Sequence, residues 1–242
     1  MADPGSLEAG FYFFTEHPHD YESWLGEPSL PKLDLRDPEL RRRLIDGPDS
    51  VVARYLRPPF ELDGWRIDVA NMTGRSGAID VNAEVATTIR ATMDAVSEDT
   101  YLVAEHFHDH ALDLRRDGWD GVMNYLGFLR PLWAWLHDRG DHRRFLGMPV
   151  DIPSIGADAA VTTMREMAAQ VPWSSLVSSA ILLGSHDTPR LRTVVGSRER
   201  QLVAAAILAT YPGVPMLFMG DEFGFLAEDG EHARTPMPWD RL

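Results

Sequence analysis

The sequence predicts an α/β fold of the β/α-barrel type. Three acidic residues each close a short apolar run: Asp68 after Gly64-Trp65-Arg66-Ile67, Glu105 after Tyr101-Leu102-Val103-Ala104, and Asp187 after Ile181-Leu182-Leu183-Gly184-Ser185-His186. Stretches with helical spacing separate these runs; Val85, Ile89, Met93 and Val96 form one such series. A length of 242 residues, 44% of them hydrophobic, fits one domain of this class. Barrel strands end on a common face, so carboxylates at strand ends are placed to work together on one ligand.

Each element follows in order. Phe11 to Asp34 is rich in aromatics, prolines and charges without a sustained period, and is expected to be an irregular excursion. Asp37-Pro38-Glu39 reads as a helix start, because proline in the first turn loses no intrahelical bond, and the helix should run to Asp46-Gly47. A second helix is expected from Val51 to Leu56, stopped by Pro58-Pro59. The first strand is expected over Leu62 to Val69, a helix over Val81 to Val96, and a strand over Thr100 to Ala104, making one βαβ unit. Gly121 to Tyr125 is a further strand and Pro131 to His137 an aromatic helix. A helix over Ala157 to Gln170, a strand over Ser179 to Ser185, a helix over Arg198 to Thr210 and a strand over Val214 to Met219 complete the series. Five strands are predicted, whereas a full barrel has eight.

Composition narrows the function classes. No apolar run approaches the roughly 18 residues that span a bilayer, and Met1 to Gly10 lacks a signal-peptide pattern, so no membrane partner is expected. The chain has no cysteine, which excludes disulfides and thiolate metal sites and fits a reducing, cytoplasmic location. With 23 Lys and Arg against 37 Asp and Glu, the formal charge of -14 opposes nucleic-acid binding. The basic cluster Arg41-Arg42-Arg43 is flanked by acids and reads as a solvated helix face.

The chemistry suggested by the strand-end acids is glycosidic bond cleavage. That reaction needs a proton for the leaving oxygen and a carboxylate across the anomeric carbon, about 5 to 5.5 Å apart in retaining enzymes. Neighbouring strands, about 4.8 Å apart, supply that spacing, and Asp68 and Glu105 close consecutive strands. A single acid at a strand end is as readily a helix cap or a surface turn. Glu105-His106-Phe107-His108-Asp109-His110 also contains metal-ligand residue types. Strand alternation would put Glu105 and Phe107 on one side and His106, His108 and His110 on the other. Trp24, Tyr125, Trp133 and Trp135 are aromatics that either stack on sugar rings or fill the core.

The local words carry more information. Gly64-Trp65-Arg66-Ile67-Asp68-Val69-Ala70-Asn71 resembles the nucleophile motif of the alpha-amylase family of glycoside hydrolases, family 13. Ala104-Glu105-His106-Phe107-His108-Asp109 resembles its acid/base motif, and Gly184-Ser185-His186-Asp187-Thr188-Pro189-Arg190 its third-carboxylate motif. Leu30-Pro31-Lys32-Leu33-Asp34 is similar to a segment of the neopullulanase, cyclomaltodextrinase and maltogenic amylase branch, found where the domain-B loop returns to the barrel. Pro212-Gly213-Val214-Pro215, Gly220-Asp221-Glu222-Phe223-Gly224 and Arg234-Thr235-Pro236-Met237-Pro238-Trp239 resemble the eighth strand and its loop. The likeness covers about residues 20 to 240.

The resemblance implies a retaining glycosidase or transglycosylase acting on α-1,4-linked glucans, maltooligosaccharides, cyclodextrins or pullulan. It implies that Asp68 is the nucleophile, Glu105 the acid/base, and Asp187 with His186 the pair that holds the hydroxyls beside the reacting carbon. Arg66 would pair with Asp68; His108 and Asn71, with Met72, would line the acceptor side; Arg190 and Arg234 would reach distal sugars. No cofactor is implied for the chemistry, a structural calcium ion is left open, and a homodimer is compatible with the full-length protein.

The chain departs from the family in lacking room for the first three strands, an Asn-His pair upstream of Asp68 and a trailing β domain. His232 and Asp229 stand where an acid close before Arg234 is usual. The expected architecture is therefore a partial (β/α)8 TIM barrel, strands four to eight, with residues 1–36 as the end of a domain-B-like loop region and 37–242 as the partial catalytic barrel. Three other readings remain: a non-catalytic amylase-like barrel of the transporter-associated kind, an inactive fragment, and a metal-dependent hydrolase.

Overall fold

The computed structural model describes residues 3–140, 143–145 and 150–241. Five strands are hydrogen-bonded in the order β1-β2-β3-β4-β5: β1 Gly64–Ile67, β2 Tyr101–His106, β3 Gly121–Asn124, β4 Ala180–Leu182 and β5 Val214–Met216. The chain forms two compact units, one of Met1–Leu102 and Arg116–Trp119, the other of Val103–Arg115 and Asp120–Leu242.

In the first unit, the segment expected to be irregular is a small antiparallel ladder. Phe14–Glu16 pairs with Asp20–Tyr21, and bridges join Tyr12 to Leu33 and Ser23 to Pro31. Phe14 packs edge-to-face on Tyr12 and Tyr21, so the aromatics that obscured the period are what hold the ladder. Asp37 caps the helix Pro38–Arg41 through the Glu39 and Leu40 N–H groups, and a wider π-helical turn, Arg42–Asp46, continues it. Arg42 and Arg43 ion-pair with Glu39 and lie on the surface, as expected of a solvated face. Ser50 caps the helix Val51–Tyr55.

Strand β1 is shorter than the Leu62 to Val69 expected. It leads through a turn and the hairpin Arg75–Ser76/Ile79–Asp80 into helix α1, Asn82–Asp94. Val85, Ala86, Ile89 and Met93 lie on the buried face of α1; the helix ends before Val96, the last of the predicted series, which is half-buried. The Asn82 amide donates to the Ala70 and Thr73 carbonyls, 2.8 Å each, and so ties the turn after Asp68 to the first turn of α1.

In the second unit the strands are all parallel. Val103, Ala104, Glu105 and His106 of β2 face Gly121, Val122, Met123 and Asn124 of β3; Met123 of β3 faces Ala180 of β4, and Ala180, Ile181 and Leu182 face Val214, Pro215 and Met216 of β5. Strand β2 runs two residues further than expected, so Glu105 lies inside the strand rather than beyond it. Strand β4 stops at Leu182 rather than Ser185, because the Leu183 carbonyl accepts from the Trp133 indole and the Ser185 N–H is taken by the Thr188 hydroxyl.

Helices α2 Arg130–Leu136, α3 Ala157–Ala168 and α4 Arg198–Thr210 accompany these strands. The short helices Ala111–Leu114, Trp173–Ser178 and Leu191–Val195 were not predicted, since each is too short to show a period. The core of the unit gathers Leu132, Trp133, Phe128, Ile181, Leu182, Leu183 and Val194. Trp133 and Tyr125 are about 1% exposed, which assigns both to the core rather than to a sugar platform.

Candidate active site

Residues two apart on a strand share a face, and in the first unit the Arg66 guanidinium donates to the Asp68 carboxylate. Asp68 is the open member of the pair, with 72% of its side chain exposed. The next residue, Val69, has φ +44°, a conformation that a β-branched residue adopts only when its surroundings impose it. Here the Met72 and Thr73 N–H groups bond to the Val69 carbonyl while Asn82 holds Ala70 and Thr73, and together they fix the turn. Asp68 lines a cleft of about 440 Å³ with Trp24, Leu30, Lys32, Leu33, Val69 and Met72. Asn71 is half-buried, its carbonyl accepts from Arg75, and it is absent from that lining, whereas its neighbour Met72 is present.

In the second unit Glu105 is buried, 3% exposed, and stands opposite Met123 of β3. After His106 the chain turns, so strand alternation does not extend to the later histidines. Phe107 stacks on Tyr125 with ring centroids 3.9 Å apart, and His108 is exposed. Partial desolvation of the ring, with the nearby Arg130 and His106, holds His108 below its usual pKa although the residue as a whole is exposed. The His106 Nε2 lies 3.1 Å from Asp113, and among the described residues no three His, Asp or Glu side chains are placed to hold one metal ion.

The third acid is held from several sides. The Asp187 N–H donates to the Ser185 hydroxyl, which accepts also from the Tyr125 phenol at 2.9 Å. Arg234 donates Nη2 to the Asp187 carboxylate at 3.1 Å and Nε to the His186 carbonyl at 3.0 Å. The His186 ring reaches the other Asp187 oxygen at 3.2 Å. The structure therefore brings His186, Asp187 and Arg234 together.

Arg190, expected to reach distal sugars, does not. It is 1% exposed and donates to the Met219 and Ala233 carbonyls and to Asp221, with its guanidinium 4.0 Å from the centre of the Phe218 ring. It fastens the loop after β5 to the segment that follows Asp187. Arg234, expected to do the same as Arg190, braces Asp187 instead, and Glu231 lies 3.5 Å from its other amino group. Asp229 caps the helix Gly230–Ala233 and bonds to His232, which explains why neither replaces an acid beside Arg234.

Residues 11–241 match the alpha-amylase catalytic domain. The chain belongs to the alpha-amylase catalytic-domain family. Among its relatives, a cyclomaltodextrinase of Geobacillus thermopakistaniensis is 32% identical over 93% of this chain and 34% of its own length. Neopullulanase 2 of Thermoactinomyces vulgaris is 32% identical over 91% of this chain and 33% of its own, and an intracellular maltogenic amylase of Bacillus subtilis is 27% identical over 92% and 33%. The cyclic alpha-maltosyl-(1→6)-maltose hydrolase of Arthrobacter globiformis superposes with a TM-score of 0.78 at 29% identity, over 99% of this chain and 49% of that one. A Thermus thermophilus protein, Ttha1563, gives 0.85 at 26% identity, over 99% and 50%. The chain thus spans about a third of the length of the curated relatives it matches. Its five parallel strands are those of a partial family barrel.

Two features of this alpha-amylase-family domain were not read from its sequence. The Tyr125–Ser185–Asp187 connection joins residues 60 apart, and the sequence placed Tyr125 at the end of a strand with no sign of its partner. The Asp113 partner of His106 lies in a helix too short to be predicted.

Proposed function

We propose that the protein is, or forms part of, a retaining glycoside hydrolase or transglycosylase of α-1,4-linked glucans, with maltooligosaccharides, cyclodextrins and pullulan as substrate classes. The reading rests above all on the Arg66–Asp68 pair, with an exposed carboxylate on the wall of an open cleft and a strained turn behind it. The naming of relatives as cyclomaltodextrinase and neopullulanase supports the substrate class.

In this scheme Asp68 attacks the anomeric carbon while Glu105 gives its proton to the departing oxygen, leaving a covalent glucosyl ester on Asp68. Glu105, now a carboxylate, takes a proton from water or from an acceptor sugar hydroxyl, whose oxygen displaces Asp68 and restores both groups. Asp187 and His186 accept and donate hydrogen bonds to the hydroxyls next to the reacting carbon, where positive charge develops in the transition state. Arg66 keeps Asp68 charged and aimed, since a guanidinium offers several donors in a fixed plane. His108 and Asn71 serve the acceptor side, residues 1–36 bring the chain back to the barrel, and residues 37–242 carry the catalytic part. A cytoplasmic location fits a relative named as intracellular.

The test is turnover of maltotriose, cyclodextrin and pullulan by wild type, Asp68→Asn and Glu105→Gln. Loss of a general acid costs about 10²- to 10⁴-fold in rate. Wild-type turnover by Glu105→Gln would remove Glu105 from its role, and inactivity of every form on all three substrates would favour a non-catalytic barrel.

A further inference from the structure

The catalytic reading leaves unused a buried polar cluster just after Glu105. His106, His110 and Asp113 are 2%, 5% and 8% exposed, and all follow Glu105 within eight residues. Consecutive strand residues point to opposite faces, so the His106 side chain leaves β2 on the side away from Glu105. There both its ring nitrogens are engaged. Nδ1 accepts the His108 backbone N–H at 3.4 Å, which assigns the proton to Nε2, and Nε2–H donates to the Asp113 carboxylate at 3.1 Å. Asp113 sits on the helix Ala111–Leu114, whose first N–H is capped by Asp109 at 2.9 Å. The His110 ring meets His106 edge-on with centroids 5.9 Å apart.

We propose that the His106–Asp113 pair is a positioning device for Glu105 and His108: it closes residues 106–113 into a rigid loop that fixes where β2 ends. This rests on the reading of Glu105 as acid/base. The register with β3 holds β2 at Glu105 and His106, through Met123 and Asn124. The imidazole supplies a second anchor to each of two points, the backbone of His108 and the helix that carries Asp113. A buried carboxylate that accepts from a doubly bonded imidazole fixes both groups, because release of either would weaken the satisfaction of polar atoms in the core. A carboxyl that must exchange a proton with one glycosidic oxygen tolerates little displacement, and an error of about 1 Å costs up to about a hundredfold in rate.

The test follows Glu105 directly. In protein labelled at glutamate carboxyl carbons, the Glu105 resonance is assigned by its loss in Glu105→Gln, and its titration is compared in wild type, His106→Ala, His106→Gln and Asp113→Asn. We expect His106→Ala and Asp113→Asn to shift the Glu105 midpoint by at least about half a pH unit. On maltotriose we expect them to lower kcat about tenfold or more with KM within about twofold. His106→Gln, whose amide reaches the Nε2 position, restores most of both. An unchanged Glu105 titration in folded His106→Ala, or a Gln variant no better than Ala, overturns the proposal. Wild-type turnover by Glu105→Gln overturns the acid/base reading instead, while the resonance still reports whether the pair positions Glu105.

Discussion

Arg190 and Asp221 form an ion pair at 3.1 Å with both side chains buried. One Asp221 oxygen meets Arg190, and the other is buried without a partner among the described residues. Burial raises the Asp221 pKa, and the neighbouring Arg190 charge works against that rise. Arg190→Met leaves that carboxyl alone in the core and frees the Met219 and Ala233 carbonyls. It should cost about 3–5 kcal/mol of unfolding free energy. Adding Asp221→Leu should recover part of that loss. Urea denaturation of the single and double variants checks this, and strictly additive losses would mean that the pair is not coupled.

Arg234 braces Asp187 from the solvent side, and almost half of the Arg234 side chain is exposed. An exposed pair adds little stability, about 0–1 kcal/mol, so Arg234→Ala should leave the melting temperature nearly unchanged. On the proposed function it should still lower kcat/KM for maltotriose about 10- to 100-fold, because the Asp187 carboxylate loses one fixed contact and the His186 carbonyl another. A large stability loss with unchanged kinetics would point to a purely structural Arg234.

Acid sensitivity should trace to His110. Its ring is pushed down to about 4 by burial first and the His106 ring second, against opposing effects of the His108 backbone, Asp109 and Asp113. An unperturbed histidine titrates near 6.5, so between those values the unfolded chain binds the proton that the folded chain refuses. The stability contributed by neutral His110 is complete above pH 6.5 and is lost as pH falls toward 4. The loss is about 2–3 kcal/mol. Denaturation midpoints across that window should fall in wild type and fall less in His110→Leu.

The sequence carried the five strands and the long helices because their signals are local. Val85, Ile89 and Met93 repeat at helical spacing and are buried on α1, and Arg198–Thr210 lies where its period placed it. Asp68, Glu105 and Asp187 stood out as candidates through the words around them. What the sequence did not show depends on partners that only the folded chain brings together. Arg190 looks like any loop arginine until Asp221, Met219 and Ala233 surround it, and Phe14 looks like irregular chain until Tyr21 folds back on it. The strand ends were misjudged where a side chain takes a backbone group, as Trp133 does at Leu183.

Gly64 and Gly121 open strands β1 and β3, and their lack of a side chain sets how closely the neighbouring chain approaches. A Cβ at Gly64 would lie 1.9 Å from the Tyr101 carbonyl oxygen, and one at Gly121 would lie 2.4 Å from the Ser178 oxygen. Both neighbours are backbone, which cannot rotate aside as a side chain would. The Tyr101 N–H also bonds to the Asp63 carbonyl at 2.9 Å, and Val122 bonds to the Ser179 hydroxyl at 3.1 Å, so any retreat breaks hydrogen bonds as well. Overpacking of this kind costs about 1–3 kcal/mol even where side chains can adjust. Gly64→Ala and Gly121→Ala should therefore each lose at least about 3 kcal/mol, against about 0.5 kcal/mol for a surface control such as Gly156→Ala, where a Cβ meets nothing within 4 Å. Chemical denaturation of the three variants decides it: near-wild-type midpoints for Gly64→Ala and Gly121→Ala would show that these strand starts can separate without cost.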